Sequence, residues 1–184
     1  MIESPSLDIL AVAEPAPPGG SGPFTRACAL IAKVCLWLGV SGMVLLLVAV
    51  LYQVFGRYVL NSTPTWAESI AVLLVLYVTM LGVAVGVRDA GHIGLESLLV
   101  LAPDALRLKL ELLIHALVLL FGAVMAWNCA ELAESVSAYN IPTLGISEAF
   151  KYAPAAGAGL LIALFSFEHI VALWRGHEVE PAWH

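Results

Sequence analysis

Few residues in this chain are equipped for chemistry, and the most suggestive are two histidines beside carboxylates. Glu111 and His115 stand four apart near the start of the third apolar block, and Glu168 and His169 are adjacent near the end of the fourth. Axial haem ligation draws imidazoles from two facing helices. His115 and His169 therefore set one hypothesis, a haem- or quinone-bearing membrane anchor of a respiratory complex, against the simpler reading that both are residues of the membrane interface. Cys28, Cys35 and Cys129 show no CxxC spacing and read as buried thiols. A membrane dithiol oxidoreductase needs paired cysteines in an aqueous loop. No Ser, His and Asp set falls within the apolar blocks, no HExxH occurs, and the glycine-rich N-terminal stretch has no following lysine for a phosphate-binding loop. The patterns point away from an enzyme, and apart from the haem hypothesis they call for no cofactor or metal.

The elements that must position these residues are dictated by composition. Of 184 residues, 61% are hydrophobic and 12% charged, with a mean hydropathy of +0.94, whereas soluble domains carry about 25% charged residues. A net charge of -6 leaves no basic surplus, so nucleic acid is not an expected partner. A bilayer core about 30 Å thick takes about 20 helical residues. Four blocks meet that length, at about 29–55, 66–87, 108–130 and 152–174, and predict an all-α membrane protein with four transmembrane helices. Residues 1–25, rich in Pro, Gly, Ala and Ser, lack the basic n-region of a signal peptide and read as a flexible tail, and 176–184 as a second tail. Between the second and third spans, Leu95, Leu98, Leu99 and Ala102 recur at helical spacing in a segment too short to cross, which predicts an amphipathic surface helix over about 92–102. Pro103 and Asp104 then signal a helix start.

Orientation follows from the cations. Arg26, Lys33, Arg88, Arg107, Lys109 and Arg175 share one side, and only Arg57 and Lys151 lie on the other, so both termini are expected in the cytoplasm and the two short loops outside. Trp66 opens the second span as an interfacial anchor, and Arg57 and Glu68 are placed to pair across the first hairpin. Arg88, His92 and Glu96 fall at i, i+4 and i+8, a polar stripe over the cytoplasmic headgroups if the helix continues. Gly82 and Gly86 form a GxxxG, and Ala153 to Gly159 is a run of small residues; both patterns suit close helix packing in lipid.

Several stretches together resemble the small permease subunit family of tripartite ATP-independent periplasmic (TRAP) transporters, known as DctQ-like. Phe55-Gly56-Arg57-Tyr58-Val59-Leu60 ends the first span, and Trp66-Ala67-Glu68 opens the second. Leu81-Gly82-Val83-Ala84, then Arg88-Asp89-Ala90-Gly91-His92-Ile93 and Leu95-Glu96-Ser97-Leu98, is similar to the family's passage from the second span into a surface helix. The likeness covers residues 26 to 175; Ser69 stands where the family often has a second acid, and Glu96 where it often has Asp. The resemblance implies a non-catalytic scaffold in a bacterial inner membrane. It also implies a large permease subunit as partner and a periplasmic binding protein as transient partner, in cation-coupled uptake of an organic acid. On that reading Arg57, Trp66, Glu68 and Lys151 lie near the contact with the binding protein.

Overall fold

The computed structural model describes residues 22–62, 65–89 and 104–175. Helix α1 spans Pro23–Tyr58, α2 Thr65–Asp89, α3 Asp104–Ser135 and α4 Ala153–Arg175, with a 3-10 turn at Glu148–Lys151 between the last two. All four helices are long and apolar enough to cross a membrane. They are apolar around their whole circumference, the pattern of helices solvated by lipid. Each predicted span lies within a helix, or within one residue of it, and most helices run past the apolar block into more polar turns. The proposed surface helix over 92–102 and both tails, apart from residues 22–25, fall outside the described residues.

Proline stands at the first position of α1, where its missing N–H costs nothing. The helix ends where the Val59 amide bonds to the Phe55 carbonyl, the Ser62 amide to that of Gly56, and Asn61 takes a left-handed φ of 48°. Asparagine tolerates that conformation better than most residues. The second loop is tighter. Asn140 bridges Ser147 in antiparallel fashion, the amides of Leu144 and Gly145 both reach the Ile141 carbonyl, and Gly145 sits at φ 69°. Ser147 then caps the 3-10 turn, accepting from the Ala149 amide.

The helices pair as two hairpins, α1 with α2 and α3 with α4, joined mainly through α2 against α4. Large side chains such as Leu47, Phe121 and Leu160 point outward, while the buried cluster is small: Cys28, Ala32, Ala84 and Ala158, with Ile162 and Phe165. In lipid there is no hydrophobic drive between helices, so close backbone approach decides the packing. The α3–α4 seam shows it. A Cβ on Gly159 would lie 2.6 Å from the Ala126 nitrogen, and one on Gly122 would lie 2.8 Å from the Gly159 carbonyl oxygen. Gly122 and Ala126 thus mesh with Gly159 and Ala163, and the small-residue run that opens α4 is seated against α3.

Candidate functional site

At the end of the bundle where α1 begins and α4 finishes, Arg88, Asp89, Glu168, His169 and His115 meet inside the helices. Arg88 lies in the last turn of α2 and is 2% exposed; Glu168, on α4, is 1% exposed. The guanidinium donates from Nε to Glu168 Oε2 at 3.0 Å and from Nη2 to Oε1 at 3.2 Å, while its Nη1 donates to Asp89 Oδ1 at 3.0 Å. Such fork-to-fork pairing is the strongest and most directional contact available to these groups. His169 follows at once, with Nε2 3.0 Å from the backbone carbonyl of Arg88. That carbonyl is among the last four of α2, which have no partner within their own helix, so α4 supplies the cap. His115 of α3 is 5% exposed, and its ring stacks on His169 with centroids 4.6 Å apart and planes 13° from parallel. Phe165 lies under the guanidinium at 6.0 Å, and Phe24 of α1 meets Phe167 edge-on.

This geometry corrects three expectations. Arg88 is not part of a headgroup stripe: its charge is buried against Glu168, because α2 stays helical through Asp89 and turns Arg88 inward. His92 and Glu96, the rest of that stripe, lie outside the described residues. His115 is not an interfacial residue, since α3 carries it into the bundle. The two histidines do meet, but not as haem ligands. Axial imidazoles aim their nitrogens at opposite faces of one iron, whereas these rings lie face to face with no space for a macrocycle, and His169 Nε2 is engaged by Arg88.

The opposite end holds the other predicted positions. Arg57 and Glu68 are both exposed, and no ion pair joins them. Lys151 instead binds Glu148 at 2.7 Å across one turn. Trp66 is 46% exposed, its ring 5.8 Å from that of Tyr52. The first turns of α2 are tied to the second loop by Ser69 and Thr143, whose hydroxyl oxygens are 2.5 Å apart. Gly82 and Gly86 are not a packing seam within the chain: a Cβ on either meets nothing within 4 Å. With Gly39, Met43 and Val78 they line an apolar groove of about 370 Å³ between α1 and α2.

Sequence reasoning placed Glu168, His169 and His115 at one membrane depth and missed their partner. The available signal was charge: an arginine and a glutamate near the same ends of two spans, where intramembrane ionisable groups ordinarily pair. Among the described residues no cluster of three or more His, Cys, Asp and Glu is arranged to hold a metal ion. What the cluster accomplishes is mechanical, joining α2 to α4 and α4 to α3.

Comparison with known proteins agrees with a structural part in transport. The family model described as tripartite ATP-independent periplasmic transporters, DctQ component, matches residues 46–176. The sialic acid TRAP transporter small permease protein SiaQ of Vibrio cholerae is 26% identical over 134 residues, covering 72% of this chain and 77% of that protein. The sialic acid TRAP transporter permease protein SiaT of Haemophilus influenzae is 35% identical over 77 residues, 42% of this chain and 12% of that protein. The matched family is a component of a transporter and not a catalyst, and four apolar helices make the chain a multi-pass membrane protein. The chain belongs to the DctQ component family of tripartite ATP-independent periplasmic transporters.

Proposed function

We propose that this chain is the fixed membrane companion of a large permease subunit, in cation-coupled uptake of an organic acid handed over by a soluble binding protein. The observation that carries the reading is the internal use of the buried charges. Arg88, Asp89 and Glu168 hold one another, and through them two helices, in a protein matched by the DctQ family over most of its membrane domain. A transporter that handled solute itself would present broken helices or midplane charges to a cavity. The match to 12% of a permease protein also supports the reading, because a segment of this kind then occurs within a much longer permease chain. A rigid apolar bundle enlarges the stationary part against which a moving transport domain slides.

The solute class follows the relatives named for sialic acid: an acidic, carboxylate-bearing molecule. The cation bias places both termini in the cytoplasm and the loops in the periplasm. There the exposed Arg57, Trp66 and Glu68, with the half-buried Lys151, offer a mixed surface to the binding protein. The test is uptake of a labelled organic acid into vesicles containing the large permease subunit and its binding protein, with and without this chain. Uptake that requires this chain supports the proposal. Equal uptake without it refutes the proposal.

A further inference from the structure

We infer that the Arg88–Glu168 pair is a register key, setting how the α1–α2 hairpin is oriented on the α3–α4 hairpin rather than how strongly the two adhere. The inference rests on the scaffold reading above only for its consequence, the seating of the large subunit.

Two kinds of seam run through the bundle. Those inside the hairpins are fixed by glycine fits that accept one alignment. Gly122 and Gly159 meet backbone to backbone between α3 and α4, and a Cβ on Gly42 of α1 would lie 2.7 Å from Val78 of α2. The seam between hairpins is different. Among the described residues it has no such glycine fit: Ala84 of α2 clusters with Ala158, Ile162 and Phe165 of α4, and Met80, Val87, Leu161 and Leu164 pack against them. Aliphatic side chains around two alanines can repack after a slip of one helical turn, about 5.4 Å, with no glycine contact to forbid it. Contact with lipid exerts no penalty on such a slip, since the tails are as apolar as the core.

The polar contacts remove that freedom. A bidentate guanidinium–carboxylate pair is satisfied in one relative rotation and one height. Any slip by a turn parts Glu168 from the guanidinium and leaves its carboxylate in an apolar surround, a costly arrangement there. His169 adds a second constraint on the same residue, since its bond to the Arg88 carbonyl fixes the end of α2 in height. Two consecutive α4 residues thus bracket one α2 residue, by side chain and by backbone. At the far end the hydroxyls of Ser69 and Thr143 meet only if the whole seam is in register.

That far contact provides the assay. The variant pair Ser69→Cys and Thr143→Cys, in a Cys129→Ser background, forms a disulfide in oxidised membranes when the hairpins are aligned. The key is then tested by Arg88→Leu with Glu168→Leu and Asp89→Asn, which replaces the ion pair by apolar side chains of comparable bulk and leaves no carboxylate at position 89 without its guanidinium. A purely cohesive pair is often replaceable in that way without loss. The expected result is membrane levels close to those of the parent, cross-linking at least about five-fold lower and reduced copurification of the large subunit. Arg88→Glu with Glu168→Arg is expected to restore part of the cross-link. Parental cross-linking in the apolar variant overturns the inference, and so does failure of that variant to accumulate, which would show that the pair is needed for the fold itself and not only for its register. If the parent chain does not copurify a large permease subunit, the scaffold reading fails while the cross-linking result still decides the register key.

Discussion

Glu168 of α4 holds Arg88 of α2, 80 residues earlier in the chain, through both of its carboxylate oxygens, and the neighbouring His169 binds the carbonyl of that same arginine. The bundle therefore has a polar fastening at the end where its termini lie and another, between Ser69 and Thr143, at its loops. Between them the packing is mostly apolar, alanines interleaved with larger side chains such as Ile162 and Phe165.

Removing one member of the fastening leaves the other charged and buried. Arg88→Ala or Glu168→Ala is expected to lower the stability of the purified subunit by about 3–5 kcal/mol, read as loss of monodisperse protein on heating in mild detergent. An unchanged heating curve contradicts the pairing. The same measurement on Arg57→Ala, an exposed residue outside any ion pair, is expected to stay within about 0.5 kcal/mol of the parent.

His169→Ala removes the hydrogen bond to the Arg88 carbonyl and the ring stacked on His115. The expected loss is about 1 kcal/mol, smaller than for Glu168→Ala, because the Arg88 carbonyl loses a single partner at a helix end. A loss equal to that of Glu168→Ala would mean that the cap, not the ion pair, holds α2 to α4.

The two glycine pairs are expected to respond in opposite ways. Gly159→Ala places a methyl group 2.6 Å from the Ala126 backbone nitrogen and should cost about 1–3 kcal/mol through overpacking. Gly82→Ala and Gly86→Ala meet open space and should leave the isolated subunit intact, gaining about 1 kcal/mol each from better helix propensity at most. Thermal denaturation of the three variants side by side decides the matter.

Gly145→Val puts a β-branched residue at φ 69°, a conformation that strains such side chains by about 1–2 kcal/mol. The turn closed on the Ile141 carbonyl should loosen, and with it the Ser69–Thr143 tie. Protease susceptibility of intact membranes between residues 136 and 152 is expected to rise. An unchanged digestion pattern would show that the turn is held by its other hydrogen bonds.

The four helices were legible because crossing a bilayer demands about 20 apolar residues, and four such helices occur among the described residues. The cluster was not legible for a reason visible in Arg88. It follows directly on an apolar run, so counting residues places it in the headgroups; only the docking of α4 against α2 shows that it turns inward. Helix packing was half legible in the same way. Gly159, at the end of the small-residue run opening α4, does seat on α3, but Gly82 and Gly86 carry the same pattern and line an open groove beside α1 with no close contact. Spacing marks a face able to accept a backbone, and the partner of that face is set by tertiary structure. Arg57 and Glu68 failed to pair because both side chains are exposed, where water competes well for an ion pair.

The most direct test of the central claim is affinity purification of the tagged chain from its native membrane in mild detergent, with mass spectrometry of what accompanies it. The account predicts one large permease subunit in near-equal amount. Recovery of the chain with dehydrogenase or cytochrome subunits, or by itself under conditions that preserve other membrane complexes, would contradict it.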